Sequence, residues 1–197
     1  VDTMNARTTV GGIDVTDSDD LIVTGATASA GNIAITTATV ANADRVVFPG
    51  QGAIGDCMAR LNDHGLTDVI RECARTRPFF GICLGLQSLV SHSAEDGGTA
   101  CLDIFPGEVR RFPDHPPPAA DGSPRKIPHM GWNQVKWTRE HPVTHGIASD
   151  TRFYFVHSYY VVPEDPALTL GYTDYIQPFT AALASGYVIA TQFHPEK

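Results

Sequence analysis

No run of more than four consecutive residues from the set Ala, Val, Ile, Leu, Met, Phe, Trp, Tyr and Cys occurs in the chain; Phe153 to Val156 is one such run. A bilayer-spanning helix needs about 20 mostly apolar residues, so none is expected. Positive charge is also scarce. Fourteen Lys and Arg face 22 Asp and Glu, for a formal net charge of −8. A general nucleic-acid binder would carry a basic face, and that class is set aside. The opening Val1-Asp2-Thr3-Met4-Asn5 has no basic patch followed by an apolar stretch, so no secretory signal is expected there. Only four cysteines are present, at 57, 73, 83 and 101, with no CxxC pair and no zinc-like Cys/His spacing. Free thiols in a cytoplasmic protein, without a bound metal, are the expectation. Repeats and low-complexity tracts are missing too.

What is there suits one globular domain over residues 1–197. Hydrophobic residues make up 42% and charged residues 18%, too apolar for disorder. In the first half, apolar runs alternate in type. Arg45 to Phe48 reads as a short buried strand ended by Pro49-Gly50. Cys57 to Cys73 has helical period, with Met58, Leu61, Leu66, Val69 and Ile70 on one face. Pro78 to Ile82 reads as a second strand, and Leu84 to His92 as a helix. Strand, helix, strand, helix predicts parallel βαβ units and an α/β sheet. The second half is richer in β-branched and aromatic residues. Gly107 to Phe112, Asn133 to Trp137, Phe153 to Val156, Tyr159 to Val162 and Tyr187 to Phe193 read as strands of an antiparallel extension. Phe112 to Pro124, with five prolines, reads as a surface excursion. Residues 1–40 are atypical: Thr8 to Val10, Leu21 to Thr24 and Ile33 to Val40 read as strands, and Gly11, Gly12 and the many threonines disfavour a helix.

Three short blocks carry chemistry. Gly81-Ile82-Cys83-Leu84-Gly85 sits between a strand and a helix. It has the form of a nucleophile elbow, a sharp bend that presents Cys83 and leaves no room for side chains two residues away. The helix N-terminus should favour the thiolate. Alone, the same pattern also describes a buried cysteine beside packing glycines. Near the end stands Gln192-Phe193-His194-Pro195-Glu196. In extended backbone His194 and Glu196 share one side, so the carboxylate can orient the imidazole. Alone, this reads more readily as a solvated turn. Pro49-Gly50-Gln51-Gly52 follows a buried strand, and its N–H groups, with that of Leu84, can form an oxyanion hole. It is not a phosphate loop, because no Gly-Lys-Ser/Thr follows.

Together, in this order, the blocks resemble those of the class I (triad-type) glutamine amidotransferases: Pro49-Gly50-Gln51-Gly52, Gly81 to Gln87, and Phe193-His194-Pro195-Glu196-Lys197. Within that family, Pro128-His129-Met130-Gly131-Trp132-Asn133 and Tyr154 to Tyr160 are similar to signatures of one branch, the glutaminase subunits of imidazole glycerol phosphate synthase in histidine biosynthesis. The resemblance runs from Ala43 to Lys197. It implies a three-layer α/β/α sandwich around a mixed, mainly parallel, flavodoxin-like sheet. It also implies hydrolysis of glutamine to glutamate and ammonia, without a cofactor, and a heterodimer with a (β/α)8-barrel cyclase subunit. By the same resemblance Cys83, His194 and Glu196 are the catalytic triad, and Gly52 and Leu84 the oxyanion hole. Gln87, Glu95, Ser158 and Tyr159 hold the substrate, and His129, Met130, Trp132 and Asn133 face the partner. The chain ends just past the third block, where the family continues into a terminal helix. Another class I amidotransferase, a γ-glutamyl hydrolase, and a non-catalytic interaction subunit stay open as alternatives.

Overall fold

The computed structural model describes residues 40–41, 43–119 and 122–197, and before them three short strands, β1 (Arg7–Thr9), β2 (Gly12–Asp14) and β3 (Leu21–Val23). β1 and β3 overlap two of the strands expected in the atypical segment. The third, over residues 33–40, lies outside the described residues apart from Val40, which is helical. The chain continues through β4 (Arg45–Gly50), α1 (Ile54–Asp63), α2 (Thr67–Thr76) and β5 (Phe79–Cys83). The single turn α3 (Leu84–Gln87) leads into β6 (Val90–Ser93), β7 (Thr99–Ala100) and β8 (Phe105–Arg111). The second half holds β9 (His129–Trp137), β10 (Thr151–His157), β11 (Tyr159–Pro163), β12 (Thr169–Asp174), β13 (Pro178–Ser185) and β14 (Val188–Thr191).

The periodic stretch read as one helix is two. α1 buries Ile54, Cys57, Met58 and Leu61, spaced i, i+3, i+4, i+7 on one face. It stops at Gly65, whose φ of +62° suits the left-handed residue of a helix terminus. The Leu66 N–H reaches back to the Leu61 carbonyl at 2.8 Å and the Gly65 N–H to Asn62 at 3.0 Å, a Schellman closure. α2 then starts afresh and buries Ile70, Cys73 and Ala74. The helix expected over Leu84 to His92 lasts one turn. The carbonyls of Ser88 and Leu89, which a longer helix would use, accept instead from the N–H groups of Leu102, Ile104 and Phe105. Tertiary pairing therefore turns Val90 onward into a strand.

The main sheet runs in the order β3-β4-β5-β14-β13-β11-β8-β6-β7, with β12 pairing β13 and β9, and β9 pairing β10. β3, β4, β5 and β14 are mutually parallel, and β6 runs parallel to β8. The remaining pairs are antiparallel, so the sheet is mixed, in the α/β class expected. Parallel alignment gathers the C-terminal ends of β4, β5 and β14 on one edge. Gly50 lies opposite Cys83, and Thr191 opposite Ile82. Functional residues of open α/β sheets stand just beyond such ends. Phe112, at the start of the proline-rich excursion, is buried, whereas Pro113 to His115 are exposed. All four cysteines are buried and unpaired.

Candidate active site

Cys83 ends β5 with φ 55° and ψ −106°, a backbone conformation that costs a residue with a side chain about 1–3 kcal/mol. The flanking glycines are a steric requirement of this bend. A Cβ on Gly81 would come within 2.9 Å of the Gly85 carbonyl oxygen, and one on Gly85 within 1.8 Å of the Phe48 carbonyl oxygen. The expected elbow is present. The expected resting thiolate is not. Burial pushes the Cys83 thiol up to about 11. The Leu84 N–H and the Gln192 amide pull the other way, and the Glu196 carboxylate adds to the rise. α3 spans four residues, too short for a substantial macrodipole. Cys83 therefore rests as a thiol.

His194 is held from two sides. Its N–H donates to the Tyr154 carbonyl at 2.9 Å, which pins the chain after β14 onto β10. Its Nδ1 lies 2.8 Å from Glu196 Oε1. A carboxylate only accepts, so Nδ1 carries the hydrogen and Nε2 keeps a free lone pair. Nε2 is buried and has no hydrogen-bond partner. A buried nitrogen left unpaired is uncommon, and such exceptions point to a role in the site.

Cys83 and His194 line one pocket of about 360 Å³. Gly52 and Leu84 line it, as do Gln87, Glu95, Ser158 and Tyr159. The residues expected in the oxyanion hole and against the substrate thus share this one pocket, with Glu196 beside His194. Gly52 has φ +97°, a conformation that favours glycine, and a Cβ there would meet nothing within 4 Å. Glu95 has a structural duty as well. Its Oε2 accepts from the Ile54 N–H at 2.9 Å and so satisfies the first turn of α1. Gln87 Nε2 donates to the Tyr159 carbonyl at 3.1 Å and to Gln192 Oε1 at 3.0 Å. Among the described residues no cluster of three or more His, Cys, Asp or Glu is arranged to hold a metal ion.

The glutamine amidotransferase class-I family profile matches residues 20–197. The imidazole glycerol phosphate synthase subunit HisH of Chromobacterium violaceum is 56% identical over 158 residues, covering 80% of this chain and 73% of the relative. That of Thiobacillus denitrificans is 52% identical over 158 residues, covering 80% and 69%. The chain belongs to the class-I glutamine amidotransferases, in the HisH family. In three dimensions it is similar to a solved glutamine amidotransferase with a TM-score of 0.56, over 82% of this chain and 75% of that one. At 16% identity this likeness bears on the fold alone.

The residues expected to face a partner divide. Met130 and Trp132 are 61% and 56% exposed, on the outward face of β9. Across the strand pair they meet Val156 and Tyr154. Val156 is itself a large apolar residue left exposed, and it borders the pocket. His129 does not belong on that surface. It is 3% exposed, because alternation along β9 turns it inward, where it stacks on Tyr175 at 4.0 Å and on Phe155 at 4.8 Å. Asn133 shares the inward side and is half-buried. Sequence reasoning missed Gln192, fully buried with Nε2 3.6 Å from Cys83 Sγ, and His157, which also lines the pocket. The signal is faint: His157 ends β10 just after Val156, and Gln192 stands between Thr191, the last residue of β14, and Phe193.

Proposed function

We propose that the chain is the glutaminase subunit of imidazole glycerol phosphate synthase in histidine biosynthesis. It hydrolyses the side-chain amide of L-glutamine and passes the ammonia to a (β/α)8-barrel cyclase subunit in the cytoplasm. One observation carries the chemistry. His194, oriented by Glu196 and with a buried, partnerless Nε2, lines the same pocket as Cys83. As the sulfur attacks the amide carbon, His194 Nε2 takes the thiol proton, and Glu196 stabilises the imidazolium. The Leu84 N–H and the Gly52 peptide receive the oxyanion; one such donor is typically worth about 3 kcal/mol. His194 returns the proton to the leaving nitrogen, and ammonia departs from a glutamyl thioester. The same nitrogen then deprotonates water, which releases glutamate and restores the thiol. Glu95 offers a carboxylate to the substrate's α-ammonium, and Ser158 and Tyr159 border its amino-acid end. The exposed apolar patch of Met130, Trp132 and Val156 beside the pocket supports a partner that covers the mouth and keeps ammonia from water.

The test is glutamate release by the purified chain, alone and with the barrel cyclase. Cys83→Ala should lower the rate by at least about 10³-fold, the scale of losing a triad member. A glutamine-like electrophile should label Cys83 and no other thiol. Retained activity in Cys83→Ala would overturn the mechanism. Equal rates with and without the cyclase would overturn the coupling.

A further inference from the structure

The two residues expected on a partner face that instead turn inward begin a file of hydrogen bonds that reaches Cys83 by way of the Tyr159 carbonyl. Asn133 Nδ2 donates to the Asp174 carbonyl at 2.9 Å, and Asn133 Oδ1 accepts from the Gln134 N–H at 2.8 Å. These backbone groups decide which end of the amide is which. Nδ2 also lies 3.2 Å from His129 Nε2. His129 Nδ1 is 3.0 Å from His157 Nε2, and His157 Nδ1 is 2.7 Å from the Tyr159 carbonyl. That carbonyl only accepts, so His157 donates to it through Nδ1 and accepts through Nε2. His129 therefore donates through Nδ1 and accepts from Asn133 through Nε2. Burial keeps both rings neutral, holding His129 down to about 4 and His157 to about 3. Every hydrogen from Asn133 to the Tyr159 carbonyl points one way. Gln87 also donates to that carbonyl, and it holds Gln192 Oε1, whose partner nitrogen donates to Cys83 Sγ.

We propose that His129 and His157 are positioning residues, through which a load on the exposed face of β9 changes how the Gln192 amide meets the Cys83 sulfur. The identity of the load, a barrel cyclase, rests on the function proposed above; the file itself does not. Met130 and Trp132 sit on the same strand as His129 and Asn133, one pair outward and one inward. His129 is clamped between the Phe155 and Tyr175 rings, so it moves with its strand rather than within a cavity. Gln192 faces a thiol that burial disfavours as an anion, and a better-aimed N–H there favours the thiolate. The competing account is that the network only satisfies buried imidazoles.

Two variants separate the accounts. His129→Phe keeps a ring in the stack and cuts the file. His129→Gln gives up the ring but keeps a donor and an acceptor. Three quantities are read: the melting temperature, the ratio of glutaminase kcat with and without the cyclase, and the rate of Cys83 alkylation by iodoacetamide in the chain alone, located by peptide mass at one pH. His129→Phe should lower the cyclase's stimulation about tenfold, a usual size for coupling between sites, through kcat rather than KM. His129→Gln should melt lower yet retain more of the stimulation. If stimulation follows melting temperature across the two variants, the proposal is overturned. If wild type with cyclase releases no glutamate, the functional reading fails. The file is then judged by alkylation, where a several-fold change in His129→Phe sustains it and an unchanged rate overturns it. Asn133→Leu, at the far end and half-buried, repeats the test should either His129 variant fail to fold.

Discussion

The parallel strands β4, β5 and β14 and the antiparallel strands β9, β10 and β13 bury different chemistry. Around the first group the core is mostly aliphatic and sulfur-bearing, with Val46, Leu61, Ile70, Cys73, Leu86 and Val188 beside one aromatic pair, Phe48 and Phe79. Around the second it is aromatic, with Phe112, Phe155, Phe179 and Phe193 in contact and the rings of His129 and His157 set among them. Cys83 belongs to the first region. His194 follows β14 but is pinned to β10, in the second. The first region makes its site by bringing backbone against backbone, and so has no tolerance for an added atom. The second packs flat rings, and can carry a polar file through its core because each nitrogen finds a partner.

The sharpest way to break this contrast is a pair of glycine substitutions. Gly85→Ala places a methyl group 1.8 Å from a backbone oxygen that β4 cannot move. It should cost at least about 4 kcal/mol, the range of severe packing failures, or give no folded protein. Gly131→Ala, on β9, meets nothing within 4 Å and only suffers the strain of φ +132°. That should cost about 1–2 kcal/mol. Urea melts of the two variants measure the difference. Equal costs would mean that both regions give way alike.

Acid tests the aromatic region next. Burial depresses both His129 and His157, to about 4 and about 3. The unfolded chain binds a proton at each near pH 6.5, and the folded chain does not until well below that. Stability from this pair is therefore complete above pH 6.5 and is lost as pH falls towards 4. The slope is about 1 kcal/mol per pH unit for each ring across that window. Denaturant melts at stepwise pH should show it, and His129→Phe should flatten it. A melt that holds level from pH 6.5 to 4.5 would contradict the buried, neutral reading.

The two regions were also unequally legible. The elbow could be read because backbone crowding writes itself as glycine at two set distances from Cys83, and the third block because His194 and Glu196 lie close in sequence. The extent of α3 could not. Leu84 to Val90 is buried at every position, Gln87 and Ser88 included, so no exposed face marks its period as helix or strand, and pairing with β8 decides. β13 went unseen for a related reason. Phe179 to Ala184 is buried on both faces and rich in alanine, so it shows no alternation, and Thr180 is its one β-branched residue. His129 was placed on the surface because a motif gives the residue but not the side of the strand. The inward turn follows only once Met130 and Trp132 are seen outside.

The smallest expected effect tests the strain at the elbow itself. Replacing a residue by glycine in a strand usually costs about 0.5–1 kcal/mol relative to alanine, because glycine has more freedom to lose. At Cys83 the order should invert. A φ of 55° with ψ −106° is the mirror image of ordinary extended backbone, open to glycine and strained for alanine. Cys83→Gly should therefore be more stable than Cys83→Ala by about 1 kcal/mol, although neither has a thiol and both are inactive. Comparing the two melts removes catalysis from the question and leaves only the backbone. If alanine proves the more stable, the bend is relaxed, and the glycines at 81 and 85 serve close packing without any strain held between them.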